Sequence, residues 1–254
     1  MFTNELKNKL NQGGTSIGTF LTCNSPDIVE VLALSGFDFL VIDTEHGYMS
    51  VESVVHLIRA AEARNITPIV RISSASETDI LRALDIGTHG IQIPQINTKE
   101  VAQLVTNYSK YYPAGIRGLA MPRAADYGTV KLQDYIKKAN DETMVVVHCE
   151  NKEGLENLDA IAETPGIDVI FVGPLDMSQS LGIPGDFNHP KLEEAICKVL
   201  EIARAHGKAA GIFVPDGEQA KMRIKQGFQY ITLGIDLMLL AKASGHELNK
   251  LKND

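Results

Sequence analysis

The chain has no tryptophan, only three cysteines in 254 residues, and no surplus of positive charge: 24 Lys and Arg stand against 32 Asp and Glu, a formal charge of -8. Each shortage excludes something. Without a basic excess or a run of Lys and Arg, the phosphate-neutralising field that nucleic-acid binding needs is missing, although one or two placed cations would suffice for a small anion. Cys23, Cys149 and Cys197 are too widely and unevenly spaced for a zinc motif or a paired disulfide set. Reduced thiols in a cytoplasmic protein are the expectation. No apolar stretch approaches the length of a membrane span, and the opening MFTNELKNKL lacks the apolar block of a secretory signal. The first predicted strand is not followed by Gly-x-Gly-x-x-Gly, which weighs against a dinucleotide site.

What is present is alternation. Short β-branched apolar runs at 16–21, 37–43, 67–72, 90–93, 143–149, 167–172, 208–213 and 229–233 read as strands. Amphipathic segments lie between them, among them Ser50 to Arg64 and Pro190 to His206. In the first of these, Val51, Val54, Val55, Leu57 and Ile58 form one apolar stripe. Strands separated by helices must pair in parallel, because only a crossover connection can return the chain to the same end. Eight such units in about 250 residues suit a closed (β/α)8 TIM barrel, with an open doubly wound sheet as the other α/β possibility. No linker or low-complexity segment divides the chain, so 1–254 reads as a single domain. The longest interruption, Tyr111 to Val130, is rich in Gly, Pro and Arg and points to a functional loop, an interface or a plain surface excursion.

In such a barrel the active site forms at the C-terminal ends of the strands, which makes polar residues there informative. The second strand ends in Asp43-Thr44-Glu45-His46-Gly47, the third in Arg71, the fifth in His148-Cys149-Glu150 and the sixth in Gly173-Pro174-Leu175-Asp176. Glu150 and Asp176 could share a divalent cation in hard oxygen geometry, or each could cap the helix that follows it. Arg71 could hold a carboxylate or an enolate oxygen, and could equally pair with Asp43. His46 is a candidate acid–base group because imidazole titrates near neutrality, with Asp43 or Glu45 to orient it; a structural loop histidine is the alternative. Strand alternation puts His148 on the side of Glu150, either as a metal ligand, as a donor behind one, or as a hydrogen-bonded interior histidine.

These residues also carry a resemblance. GFDFLVIDTEHG (36–47), PIVRI (68–72), LRALDIGTHGI (81–91), RG…PRAADYG (117–128), FVGPLDMSQSLG (171–182) and LGIDLMLL (233–240) together resemble the HpcH/HpaI class II pyruvate aldolases. The resemblance implies a barrel whose C-terminal helix is exchanged with a neighbouring subunit, in homo-hexamers built as a trimer of dimers. It implies Mg²⁺, Mn²⁺ or Co²⁺ held by Glu150 and Asp176, with pyruvate bound there through Arg71 and the backbone around Gly173, Leu175 and Asp176. A 4-hydroxy-2-oxo acid would be cleaved to pyruvate and an aldehyde through an enolate, with His46 as base, Asp43 its partner, and Asp85 reaching a neighbouring subunit's site. Three positions depart from the family. His148 stands where Gln is common, Phe20 stands where many members have Trp, and Asn151-Lys152 replaces the usual Thr. Phe20 and His148 therefore leave the substrate side open. An acyl-CoA lyase of the citrate-lyase β or malyl-CoA type and a non-catalytic oxo-acid-binding protein are the competing readings.

Overall fold

The computed structural model of the protein describes residues 2–252. Helix α1 (Glu5–Asn11) is followed by β1 (Ser16–Leu21), α2 (Pro26–Leu34), β2 (Phe39–Asp43), α3 (Val51–Ala63), β3 (Thr67–Arg71), α4 (Glu77–Asp85) and β4 (Gly90–Ile93). The chain continues through α5 (Lys99–Ser109), a 3-10 turn at Arg123–Gly128, α6 (Leu132–Glu142) and β5 (Met144–Cys149). It closes with α7 (Lys152–Glu156), α8 (Leu158–Ala162), β6 (Val169–Val172), α9 (Pro174–Ser180), α10 (Pro190–Ala205), β7 (Ala209–Val214), α11 (Gly217–Gln226), β8 (Tyr230–Ile235) and α12 (Asp236–Lys252). All eight strands pair in parallel in sequence order, and β8 returns to β1. The expected (β/α)8 barrel is present, and the open sheet is not.

Caps explain where the helices begin. Ser50 accepts the Ser53 N–H at the start of α3, Ser76 the Asp79 N–H at α4, and Asp216 the N–H groups of Glu218 and Gln219 at α11. Helices α9 and α10 begin on a proline, which has no N–H to leave unpaired, and His189 also caps α10 by accepting the Lys191 N–H.

Side chains of alternate parity go to different cores. One parity, including Leu21, Leu40, Ile42, Ile91, Val145, Val147, Cys149, Ile170 and Val172, packs outwards against the helices. The other, including Phe20, Phe39, Val41, Ile69, Met144, Val146, Phe171 and Tyr230, fills the barrel. Leu6 and Leu10 of α1 join this inner cluster from below, and the Asn4 amide donates to the carbonyls of His89 and Glu142 (2.8 and 2.9 Å). The N-terminal end of the barrel is thereby plugged. At the other end the buried Asp236 carboxylate accepts from the Thr22 N–H and hydroxyl and from the Cys23 N–H, fixing the start of α12 beside β1. No described helix is long and apolar enough to cross a membrane.

The interior is filled by large rings only because small residues face them. A Cβ on Gly18 would overlap the Phe39 ring, itself tilted against the Tyr230 ring with centroids 4.3 Å apart. Gly18→Ala is therefore expected to destabilise the barrel by about 1–3 kcal/mol through displacement of Phe39, read as a lower midpoint in urea unfolding.

Candidate active site

The inward parity of β2, β3 and β4 ends in polar residues at neighbouring positions: Asp43 is in register with Arg71, and Arg71 with Gln92. Asp43 and Arg71 are both buried, so the charges must satisfy one another. Arg71 Nε donates to Asp43 Oδ1 (2.9 Å) and Nη2 to Oδ2 (2.6 Å), a two-pronged pair. Its Nη1 faces Glu45 Oε2 at 3.1 Å. A guanidinium has five N–H donors, so two remain for a bound anion. The plane of Arg71 lies over Phe20, with Cζ 4.6 Å from the ring centroid. Phe20 is itself buried and acts on the site by seating Arg71.

Asp43 also accepts the backbone N–H groups of Glu45 (3.1 Å) and His46 (3.3 Å). It therefore shapes the loop that carries His46, while its strongest bonds go to Arg71 rather than to the imidazole. His46 is exposed on that loop. Burial pushes the neighbouring Glu45 carboxyl up, and the charges of Arg71 and His46 pull against that rise.

Glu150, at the end of β5, is buried and doubly held. Its Oε1 accepts the Gln95 N–H (2.8 Å), and its Oε2 faces His148 Nδ1 at 2.7 Å. Burial alone would raise this carboxyl; the His148 and Gln95 donors and the charge of Arg71 hold it below the usual range. The capping alternative fails for both acids. Asn151 caps α7 by accepting the Gly154 N–H, and α9 begins at Gly173 with no side-chain cap. Asn151 also donates to Gln95 Oε1 and Asn97 Oδ1, which ties this loop to the one after β4.

Asp176 stands exposed in the first turn of α9. A Cβ placed on Gly173 would lie 3.1 Å from Glu150 Oε2 and 3.6 Å from Asp176 Oδ2. Both carboxylate oxygens thus border the same small space, and a side chain at 173 would fill it. Among the described residues no group of three or more His, Cys, Asp or Glu forms a closed metal cage. Two hard oxygen donors around an open space fit a divalent ion whose remaining positions go to water and substrate.

His148 has both ring nitrogens engaged, Nδ1 on Glu150 and Nε2 at 2.7 Å from Gln92 Nε2. It is buried and is the hydrogen-bond partner of Glu150. Gln92 Oε1 in turn accepts the Tyr230 hydroxyl at 2.9 Å. Neither Gln92 nor Tyr230 is expected from the sequence as a site residue. The signal for Gln92 was available: it is the single polar residue of GIQI and has the parity of Arg71. Tyr230 reads as an ordinary aromatic core residue.

Asp85 lies at the C-terminal end of α4 and pairs with Arg117 at 2.8 Å. That end of the helix adjoins the start of β4, so Asp85 does not join Glu150 and Asp43 within one protomer. The 111–130 segment packs at the same end, where Arg123 bonds Glu62 and the Ile86 carbonyl. A cavity of about 580 Å³ is also there, lined by Phe2, Glu62, His89 and Arg123, far from the strand-end chemistry. Burial pushes Lys110 down to about 8, yet its ammonium donates to the carbonyls of Asn140 and Thr143 at 2.7 Å, at the plugged end. It is not placed to form a Schiff base among the strand-end residues.

Comparison with known proteins agrees with the barrel fold. Residues 16–243 match the model of the HpcH/HpaI aldolase/citrate lyase family. A 2-keto-3-deoxy-L-rhamnonate aldolase of Klebsiella pneumoniae is 36% identical over 256 residues, spanning 100% of this chain and 95% of that protein. An HpcH/HpaI aldolase/citrate lyase family protein from Burkholderia cenocepacia J2315 superposes with a TM-score of 0.94 at 34% identity, covering 98% of this chain and 100% of the other. The citrate synthase SbnG superposes with a TM-score of 0.89 at 36% identity, over 98% and 97% of the two chains.

Replacing Arg71 by Met would leave Asp43 charged, buried and without its main partner. A loss of about 3–5 kcal/mol in unfolding free energy is expected, measured by urea denaturation. An unchanged midpoint would mean that the backbone N–H groups alone satisfy Asp43.

Proposed function

The chain belongs to the HpcH/HpaI aldolase/citrate lyase family and is a carbon–carbon lyase of the class II aldolase kind; from that premise we propose that it splits a 4-hydroxy-2-oxo acid reversibly into pyruvate and an aldehyde. The observation that supports this most directly is the pair of carboxylate oxygens, from Glu150 and Asp176, bordering one space beside Gly173. A divalent ion held by these two residues, Mg²⁺, Mn²⁺ or Co²⁺, would supply a Lewis acid for the negative charge that develops on the oxo-acid fragment.

The chain's own residues account for the rest. His46, on the exposed loop, takes the proton from the C4 hydroxyl. The C3–C4 electron pair stays with the oxo-acid fragment as the aldehyde leaves, and the charge moves to the C2 oxygen. The two unengaged N–H donors of Arg71 stabilise that oxygen or the adjoining carboxylate, pre-aimed by Asp43 and Phe20. Backbone N–H groups of Leu175 and Asp176, in the first turn of α9, have no partner within the helix and suit the same carboxylate. Protonation at C3 completes pyruvate. The likeness to a 2-keto-3-deoxy-L-rhamnonate aldolase favours a 3-deoxy-2-oxo sugar acid, which would release a three-carbon hydroxyaldehyde.

A second reading rests on the equal likeness to the citrate synthase SbnG: carbon–carbon chemistry at an acyl thioester. Citrate formed from oxaloacetate and an acetyl thioester, with no pyruvate released from any hydroxy-oxo acid, would favour it over the aldolase.

We also infer assembly. Helix α12 exposes Leu237, Met238, Leu240, Leu248 and Leu251, a solvent-facing apolar set that supports exchange of this helix with a neighbour in a homo-hexamer. Asp85 would then act in a neighbouring subunit's site. The unpaired Cys23, Cys149 and Cys197 suit a reducing, cytoplasmic setting, and a single barrel over 1–254 is the domain organisation we infer.

Three outcomes are expected. Retro-aldol release of pyruvate should vanish on EDTA treatment and return with Mg²⁺ or Mn²⁺; full turnover in the stripped enzyme would sink the metal role. His46→Ala should lose about 10²–10⁴-fold in kcat while still binding pyruvate, and near-normal turnover would remove His46 as the base. For the assembly, Leu237→Asp with Leu240→Asp should lower the mass seen by light scattering, and an unchanged mass would take α12 out of the interface.

A further inference from the structure

Tyr230, Gln92, His148 and Glu150 form a line of hydrogen bonds from the middle of the barrel to its open end: 2.9 Å from Tyr230 Oη to Gln92 Oε1, 2.7 Å from Gln92 Nε2 to His148 Nε2, and 2.7 Å from His148 Nδ1 to Glu150 Oε2. All four side chains are buried, Gln92 and Tyr230 completely. The chemistry of each group fixes where the hydrogens lie. A carboxylate only accepts, so His148 carries its hydrogen on Nδ1. The amide nitrogen of Gln92 only donates, so His148 Nε2 presents a lone pair. The amide oxygen of Gln92 then takes the Tyr230 hydroxyl hydrogen. Burial pushes the Tyr230 phenol far up, which keeps that hydrogen in place.

Aromatic packing holds the two rings of this chain. The His148 ring lies 4.8 Å from Phe171, and Tyr230 is tilted against Phe39 at 4.3 Å and set edge-on at 6.0 Å to Phe171. At the far end, Glu150 receives one donor on each oxygen, from His148 and from the Gln95 N–H. The carboxylate plane is therefore set, and its remaining lone pairs are left for the space beside Gly173.

We propose that Tyr230, Gln92 and His148 are positioning residues that fix the Glu150 carboxylate for a divalent ion by imposing a single hydrogen-bond direction along this buried chain. The proposal deepens the metal reading given above and rests on it. In this arrangement all three act through the Glu150 carboxylate. Tyr230 acts through Gln92. Without its hydroxyl the amide can turn over and present oxygen to His148 Nε2. The imidazole hydrogen is then drawn to Nε2, and a lone pair on Nδ1 faces the Glu150 carboxylate.

The test uses the full chain, with Mn²⁺ binding followed by calorimetry and the His148 ring followed by ¹⁵N NMR in the metal-free protein. Wild type should show the Nδ1–H tautomer. Tyr230→Phe keeps the ring and its packing, and should weaken Mn²⁺ binding by about tenfold while the Nε2–H tautomer gains population. His148→Leu should weaken binding by about 10–100-fold, and His148→Gln, which restores an amide donor to Glu150, should recover part of it. Should His148→Leu fail to fold, Tyr230→Phe and His148→Gln still decide the matter. Wild-type affinity and tautomer in Tyr230→Phe would overturn the chain while leaving the metal reading intact. Absence of Mn²⁺ binding by the wild type would instead overturn the metal reading, and the chain's role with it.

Discussion

A strand in a closed barrel offers its side chains two directions, and the chemistry of this protein depends on which residues take the inward one. Asp43, Arg71, Gln92, His148 and Glu150 share that parity with Phe39, Val41, Ile69, Met144 and Val146 beneath them. A one-residue slip in any of these strands would send its charged end into the layer between sheet and helices and bring an apolar side chain inward. The apolar lower layers hold the register, and the register holds the site. Helix α1 contributes from below: by closing the N-terminal end with Leu6 and Leu10 it leaves the strand-end rim as the place where polar groups meet solvent.

Gathering charges in this way sets an electrostatic problem that the structure meets by pairing. Burial costs a carboxylate or a guanidinium several kcal/mol unless a partner is in place. Asp43 has Arg71 and two backbone N–H groups; Arg71 has Asp43, Glu45 and the face of Phe20. Glu150 has His148 and Gln95. Asp176 is the exception, because it is exposed to solvent. The two carboxylates beside Gly173 are thus held differently, one rigidly by the barrel and one on the first turn of a short helix. An ion between them would meet one fixed and one adjustable ligand.

The barrel was legible in the sequence because its strands are nearly continuous β-branched runs and its helices carry clear apolar stripes. The strands at 16–21 and 90–93 agree with β1 and β4 to the residue, and Ser50 and Arg64 prove to be the caps of α3. The charged strand ends were legible for the same reason: an acid or an arginine closing an apolar run stands out. Polar residues inside the runs were harder to read. Gln92 sits in a four-residue strand and Tyr230 at the start of one, and each becomes meaningful only when the closed sheet brings β8 and β4 across from one another. Partner choice was harder still. Asp43 could have bonded the His46 ring or Arg71, and only the register of β2 against β3 decides for Arg71.

His148 shows how far a local exception can reach. An imidazole in the interior of a barrel is a liability if either nitrogen is left without a partner, since a buried orphan costs about 1–3 kcal/mol. Here both are matched, and so are Gln92 and Tyr230 beyond them. Among the described residues, the buried side-chain atoms that lack a hydrogen-bond partner belong to Ser16, His89, Arg117 and Thr164. Ser16 and His89 stand at the starts of β1 and β4, Arg117 pairs with Asp85 below them, and Thr164 precedes β6. The plugged end of the barrel therefore tolerates unmatched polar atoms, and the open end does not. That asymmetry is what a fold would show if complete hydrogen bonding served to hold a few side chains in one geometry rather than to stabilise the whole. A saturated network adds little net stability over an apolar filling of the same volume, but it leaves its members a single low-energy arrangement. For a carboxylate that must meet an ion at one point in space, a single arrangement is the property that matters.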